Sequence, residues 1–352
     1  MLNIFLVLES FQIYKLILGQ RALALPIIFI FLVFSRSTIS KKIKLSELIV
    51  YLFILSAAVI SSNSMEDLLY GTFKVLLVIL CLELLSIDRT KDLSLKIPAL
   101  SALLFVMVEF FYRYSSVGFN LGEILAGSHS LKLSTPFFSD TNGMAIYISL
   151  SYILLLSMVT SLTSRILVVA LYFLLMFYTA SVAGLVAFAA CTGLYLLKYY
   201  PRFGSMLALV TFVVLVTFAT IFLDELVSYG LYKKLTHTFD IFSMLSNNLR
   251  LFVIGDGIFT GNYYSDTGQY LHSYWSLLIS GIGLVPSIVY TALIYFKLKY
   301  ACTEMFVILP VIILSLSYLN PFIEILYFFL ALINISLYRQ EVGERNDRLK
   351  TL

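Results

Sequence analysis

The chain has 352 residues, 60% of them hydrophobic and 12% charged, with a formal net charge of +4 and a mean hydropathy of +0.95. Soluble domains carry about 25% charged residues, and no single globular core of this length needs so much apolar sequence. The composition excludes a soluble enzyme, a disordered chain and a nucleic-acid binder, and points to an all-α polytopic membrane protein.

A helix crosses a bilayer with about 20 mostly apolar residues. In chain order, candidate spans lie near 1–18, 22–35, 47–62, 69–86, 97–113, 143–162, 165–181, 182–198, 205–223, 273–296, 303–319 and 321–338. These twelve form a single transmembrane domain over 1–352. The runs are continuously apolar rather than alternating, which argues against a β-barrel. Residues 1–18 carry Glu9, Gln12 and Lys15, and no small-residue cleavage site follows. They read as a first membrane-associated helix and not as a signal peptide.

Lysine and arginine set the orientation. One alternating set of connections holds most of the basic residues, among them Arg36, Lys44, Arg89, Lys96, Arg165, Lys198, Lys297 and Arg339. The other set holds Arg21, Arg113, Lys132, Lys233, Lys234 and Arg250, spread over far more sequence. The first set is expected to face the cytoplasm, with both termini inside. The positive excess is then topology rather than a nucleic-acid footprint.

Two long connections face outward in this orientation, near 114–142 and 224–272. Long loops without a fold of their own are usually functional. Around the start of the second, Leu223, Leu226, Val227, Leu231, Leu235, Phe239 and Phe242 share one helical stripe. Asp224, Lys233, Lys234, His237 and Asp240 share the other, as in a helix that lies in the interface or packs over a bundle. Arg250 follows, then Gly255-Asp256-Gly257, whose glycines mark a turn or a close backbone approach. Tyr263, Tyr264 and Tyr270 come next, then His272-Ser273-Tyr274-Trp275 at the start of an apolar helix marked by Gly281 and Gly283.

Each of these residues has a chemical and a structural reading. At the amino end of a helix dipole the His272 imidazole tends to stay neutral, which suits a general base, a cap or an interfacial anchor. Arg250 suits a diphosphate, which its guanidinium can grip with two donors, or a lipid headgroup, or an ion pair with Asp240 or Asp256. The tyrosines suit stacking on sugars or an interfacial aromatic belt. Lys74, Glu83, Glu109, Arg113 and Glu324 fall within spans or at their ends, where a charge faces a cavity or a partner. Glu109 and Arg113 stand one turn apart and can pair. Asn142 reads equally as a helix cap and as a functional residue. Cys81, Cys191 and Cys302 have neither disulfide nor metal-site spacing. The outward connections hold no carboxylate cluster with metal-ligand spacing, so neither metal nor cofactor is expected.

Three segments resemble the O-antigen polymerase and O-antigen ligase superfamily, the Wzy and WaaL types. Phe138-Ser139-Asp140-Thr141-Asn142-Gly143 leads into a span like that family's Asp-x-Asn approach to a central helix. Thr179-Ala180-Ser181 opens a helix in mid-chain. Arg250, Gly255-Asp256-Gly257, His272-Ser273-Tyr274 and Gly281-Ile282-Gly283 follow the order of the family's large periplasmic loop and its next helix. One position departs. Val182 stands where the family commonly has an arginine, and Arg113, Lys132, Lys233 and Lys234 are the cations available in its place.

The resemblance implies a GT-C-like, metal-independent glycosyltransferase of the bacterial inner membrane that uses undecaprenyl-diphosphate-linked oligosaccharide. In a repeat-unit polymerase, His272 would deprotonate the acceptor hydroxyl. Arg250 would stabilise the departing diphosphate, and the three tyrosines would lie against sugars. An O-antigen ligase acting on lipid A core and a flippase or transporter of lipid-linked oligosaccharide are the alternatives. Val182 and the short chain favour the polymerase, and the long outward loop bearing Arg250 and His272 disfavours a transporter. Besides the lipid-linked substrate and the bilayer, a polysaccharide chain-length regulator is a candidate partner.

Overall fold

The computed structural model describes residues 44–65, 67–86, 94–118, 141–179, 181–202, 205–206, 239, 243, 249–258, 273–316, 321–322 and 324–350. Among them the regular structure is helical, with no strand. The helices are α1 (Leu45–Ser61), α2 (Thr72–Leu84), α3 (Lys96–Val117), α4 (Thr141–Met158), α5 (Leu162–Phe177) and α6 (Val182–Tyr199). There follow α7 (Leu249–Val253), α8 (Tyr274–Ile282), α9 (Leu284–Lys297), α10 (Lys299–Thr303), α11 (Met305–Ser315) and α12 (Glu324–Lys350). A π-helical turn, Asp67–Gly71, runs directly into α2.

Among the described residues, three helical stretches are long and apolar enough to cross a membrane: Lys96–Ser115, Val182–Tyr199 and Ile325–Gly343. Shorter apolar helices cover Leu45–Ser61, Asn142–Met158, Leu162–Phe177, Leu284–Lys297 and Met305–Ser315. The expected all-helical architecture is therefore present, and these helices fall on predicted spans. The candidates at 1–18 and 22–35, and most of 205–223, of the stretch 223–242 and of the 224–272 loop, lie outside the described residues. Two predicted spans differ in form. The one at 273–296 is two helices, because Gly283 adopts φ +88 and ends α8 before α9 begins. The one at 321–338 continues as helix to Lys350. Its extension spaces Glu341 before Arg345 and Glu344 before Arg348, the interval at which opposite charges support a helix.

The core lies along α4 and α12. Residues 144–154 of α4 and 325–337 of α12 are buried without interruption, as a helix apolar on every face requires. α4 packs against α3, α5, α6 and α12, and α12 packs also against α2 and α10. Tyr147 meets Phe105 of α3 and Phe329 of α12 edge-on, each at 5.1 Å, which joins the three helices through aromatic contacts. The outer helices turn large apolar side chains outward: Ile49, Leu52 and Phe53 on α1, Leu100, Leu104 and Phe111 on α3, Leu167 and Leu174 on α5. Soluble monomers seldom expose apolar faces of that extent, and hydrocarbon suits them.

The helix ends divide by charge. At one end Lys297 Nζ lies 3.0 Å from Glu47 and 2.5 Å from Glu83, tying α9 to α1 and α2. The Tyr51 hydroxyl also donates to Glu83. Lys198 pairs with Glu304 at 2.5 Å. Arg165 donates to the Val159 carbonyl at 2.9 Å and to the Tyr200 hydroxyl at 2.6 Å, with the rings of Tyr195 and Tyr199 beside it. Gln340 of α12 donates to the Ser157 carbonyl at the foot of α4. Thus Lys44, Arg165, Lys198, Lys297 and Arg339, all from the predicted inward-facing set, gather at one end of the bundle. Arg113 and Arg250 sit at the other.

Candidate functional site

Two corners at the less basic end hold the segments singled out in the sequence. In the first, the α5–α6 turn meets the start of α4. Ser181 Oγ accepts the Gly184 N–H at 3.3 Å, which caps α6, and donates to Asn142 Oδ1 at 3.0 Å. Thr179 Oγ1 accepts the Ser181 N–H at 3.1 Å and donates to the Met176 carbonyl at 2.7 Å. Gly184 permits this closeness. A Cβ there would lie 2.6 Å from Met176 Sδ and 2.7 Å from the Ala145 methyl.

Arg113 enters the same corner from α3. It is fully buried. Its Nη1 donates to the Tyr178 carbonyl at 3.1 Å and approaches Met144 Sδ at 3.7 Å, and the guanidinium lies 5.0 Å from the centre of the Tyr178 ring. The Tyr178 carbonyl belongs to the C-terminal end of α5, where a cation complements the helix dipole. The Tyr178 hydroxyl donates in turn to the Gly118 carbonyl at 2.7 Å, beyond the end of α3. Glu109, one turn earlier and also buried, acts electrostatically on Arg113. Val182, next to Ser181, is exposed, whereas Arg113 reaches this turn from the interior.

The second corner is built on glycine. Asp256 N donates to the Ser280 carbonyl at 2.7 Å and Gly257 N to the Gly281 carbonyl at 3.3 Å, so the strip 255–257 lies flat on the α8–α9 junction. Gly255 and Gly283 both have positive φ; a Cβ on Gly255 would lie 2.5 Å from Gly283 N, and one on Gly283 would lie 2.8 Å from Ile254 N. The glycine pairs expected to mark a turn or a close approach do both here. Arg250, exposed on α7, donates from Nη2 to Asn63 Oδ1 at 3.0 Å. Asn63 Nδ2 donates to the Asp256 carbonyl at 2.5 Å and to Asp256 Oδ1 at 2.9 Å. Asn63 orients the guanidinium without supplying a charge to cancel it.

Of the sequence-predicted site residues, Arg113 and Asn142 come together through the 178–181 turn, and Arg250 stands beside the glycine strip. His272, Lys132, Lys233, Lys234, Tyr263, Tyr264 and Tyr270 lie outside the described residues. The cap of α8 is Ser273, whose Oγ accepts the Ser276 N–H at 3.2 Å. Sequence reasoning passed over Asn63 and Tyr178. The polar run Ser62-Asn63-Ser64 after a span was the available sign of the first, and it reads as an ordinary loop. Compared with protein-family models, with curated proteins and with solved structures, the chain finds no match.

Proposed function

We propose that the chain is a polymerase of lipid-linked oligosaccharide repeat units in the bacterial inner membrane. In this reading twelve spans cross the bilayer, the basic end and both termini face the cytoplasm, and the Arg250 and Arg113 corners face the periplasm. The growing glycan moves from undecaprenyl diphosphate to the non-reducing end of an incoming lipid-linked repeat unit. The observation that carries the reading is that the segments resembling one superfamily form two corners at the end away from the basic cluster. Asn142 bonds to Ser181, and the 255–257 strip lies on the 281–283 junction beside Arg250.

The chemistry is a displacement at the anomeric carbon of the donor. His272 takes the proton of the acceptor hydroxyl, whose oxygen forms the new bond to that carbon. The bond from the anomeric carbon to the diphosphate oxygen breaks, and the diphosphate leaves with the electron pair. Arg250 stabilises the charge that develops there, the electrostatic role that is usually the largest part of such catalysis. The reaction as written needs no metal and no cofactor.

The test is deletion of the gene in its native host, with gel analysis of lipopolysaccharide. Loss of the long ladder with retention of core plus one repeat is the expected result. Restoration by the wild-type chain and not by His272→Ala, at equal protein level in the membrane, places the base. Bare core with polymer held on the carrier lipid identifies a ligase instead. Bare core with single units trapped inside identifies a flippase, and an unchanged ladder overturns the reading.

A further inference from the structure

We infer that Asn63 is a positioning residue for Arg250, a neutral two-sided bracket between the guanidinium and Asp256. The inference deepens the proposed function and rests on its assignment of Arg250 to the diphosphate.

The geometry fixes the role. A guanidinium offers only donors, while a main-chain carbonyl and a carboxylate offer only acceptors. A carboxamide placed between them therefore has one useful orientation, and Asn63 has it: oxygen to Arg250 Nη2 at 3.0 Å, nitrogen to the carbonyl and carboxylate of Asp256. Asp256 is buried and held by its own N–H on Ser280. A Cβ on Gly255 would collide with the 281–283 backbone, and the N–H groups of Asp256 and Gly257 are bonded to the Ser280 and Gly281 carbonyls, so the strip is a fixed reference. Asn63, at the outer end of α1, passes that reference to an exposed arginine on a helix of five residues. An aspartate at position 63 could still accept from Arg250, but it would cancel the charge the diphosphate needs, lose both donations to Asp256 and set its own carboxylate against that of Asp256.

The experiment uses the full chain in lipid nanodiscs, with farnesyl diphosphate as the probe and farnesol as the control without a headgroup. Binding affinity and thermal unfolding are measured for Asn63→Ser, Asn63→Asp, Arg250→Gln and Asn63→Ser with Arg250→Gln. Losing a charge-assisted hydrogen bond corresponds to about ten-fold in affinity, the weakening expected of Asn63→Ser. On the Arg250→Gln background the same change should weaken binding no further, because there is no guanidinium left to aim. Asn63→Asp should weaken binding too and unfold earlier than Asn63→Ser, because its carboxylate faces that of the buried Asp256. Equal weakening on both backgrounds makes Asn63 a structural residue only and overturns the inference, as does wild-type affinity in Asn63→Ser or Asn63→Asp. Wild-type affinity in Arg250→Gln removes the diphosphate assignment itself, and the inference falls with it.

Discussion

Arg113 shows what a single residue costs and holds in this bundle. A buried guanidinium is expensive in a low-dielectric interior unless donors and charge are both answered. Here the Tyr178 carbonyl, the Tyr178 ring and the charge of Glu109 answer it. Arg113→Gln should therefore cost about 3 kcal/mol of stability, because it removes the cation that faces the Glu109 carboxylate and donates to the Tyr178 carbonyl. Adding Glu109→Gln should recover part of that loss. Thermal unfolding in detergent would measure both, and a double variant no more stable than the single one would show that Glu109 is not the electrostatic partner. The sequence made Glu109 and Arg113 visible as a spacing of one turn. It could not show that Arg113 also closes a turn some sixty-five residues later, since such a contact leaves no local periodicity. Asn63 was hidden for a different reason: a neutral amide after a span looks like every other loop residue, and only the residues it bridges give it meaning.

At the scale of elements, the α8–α9 break and the 255–257 strip are one device read from two places in the chain. The backbones touch closely enough that neither side can carry a Cβ, and both glycines adopt a conformation that other residues take only with strain. Gly255→Ala and Gly283→Ala should each destabilise the chain by more than about 2 kcal/mol. The double variant should cost less than the two together, because both remove the same contact. Thermal unfolding of the purified chain tests this, and strictly additive losses would mean that the two glycines act separately. Sequence reading placed the glycines and their significance but made 273–296 one helix, because hydropathy does not register a change of direction within an apolar run. Long helices such as α3 and α6 were plain in the sequence, since their length and apolarity are local properties.

At the scale of the whole molecule, the two-ended distribution of lysine and arginine was readable, because charge does not cross hydrocarbon and so follows topology. The position of each helix within the bundle was not, because a central span and a peripheral one can be equally apolar. α12 makes the point. Its residues 325–337 are all buried in protein, and Asn334, Ser336 and Gln340 each hydrogen-bond to a neighbouring helix. A chain ended before Glu324 should leave α4 with an uncovered face, and it should be degraded or aggregate in membranes. A stable, monodisperse truncated product on size-exclusion chromatography would contradict this. The burial of α12 also bears on biosynthesis. Its partners α2, α4 and α10 all precede it in the chain, so they leave the ribosome first and must wait in the membrane with a vacancy between them. A deeply buried helix of the finished bundle is thus made after the helices it packs against. Until α12 is made, the faces of α2, α4 and α10 that bury it stand uncovered.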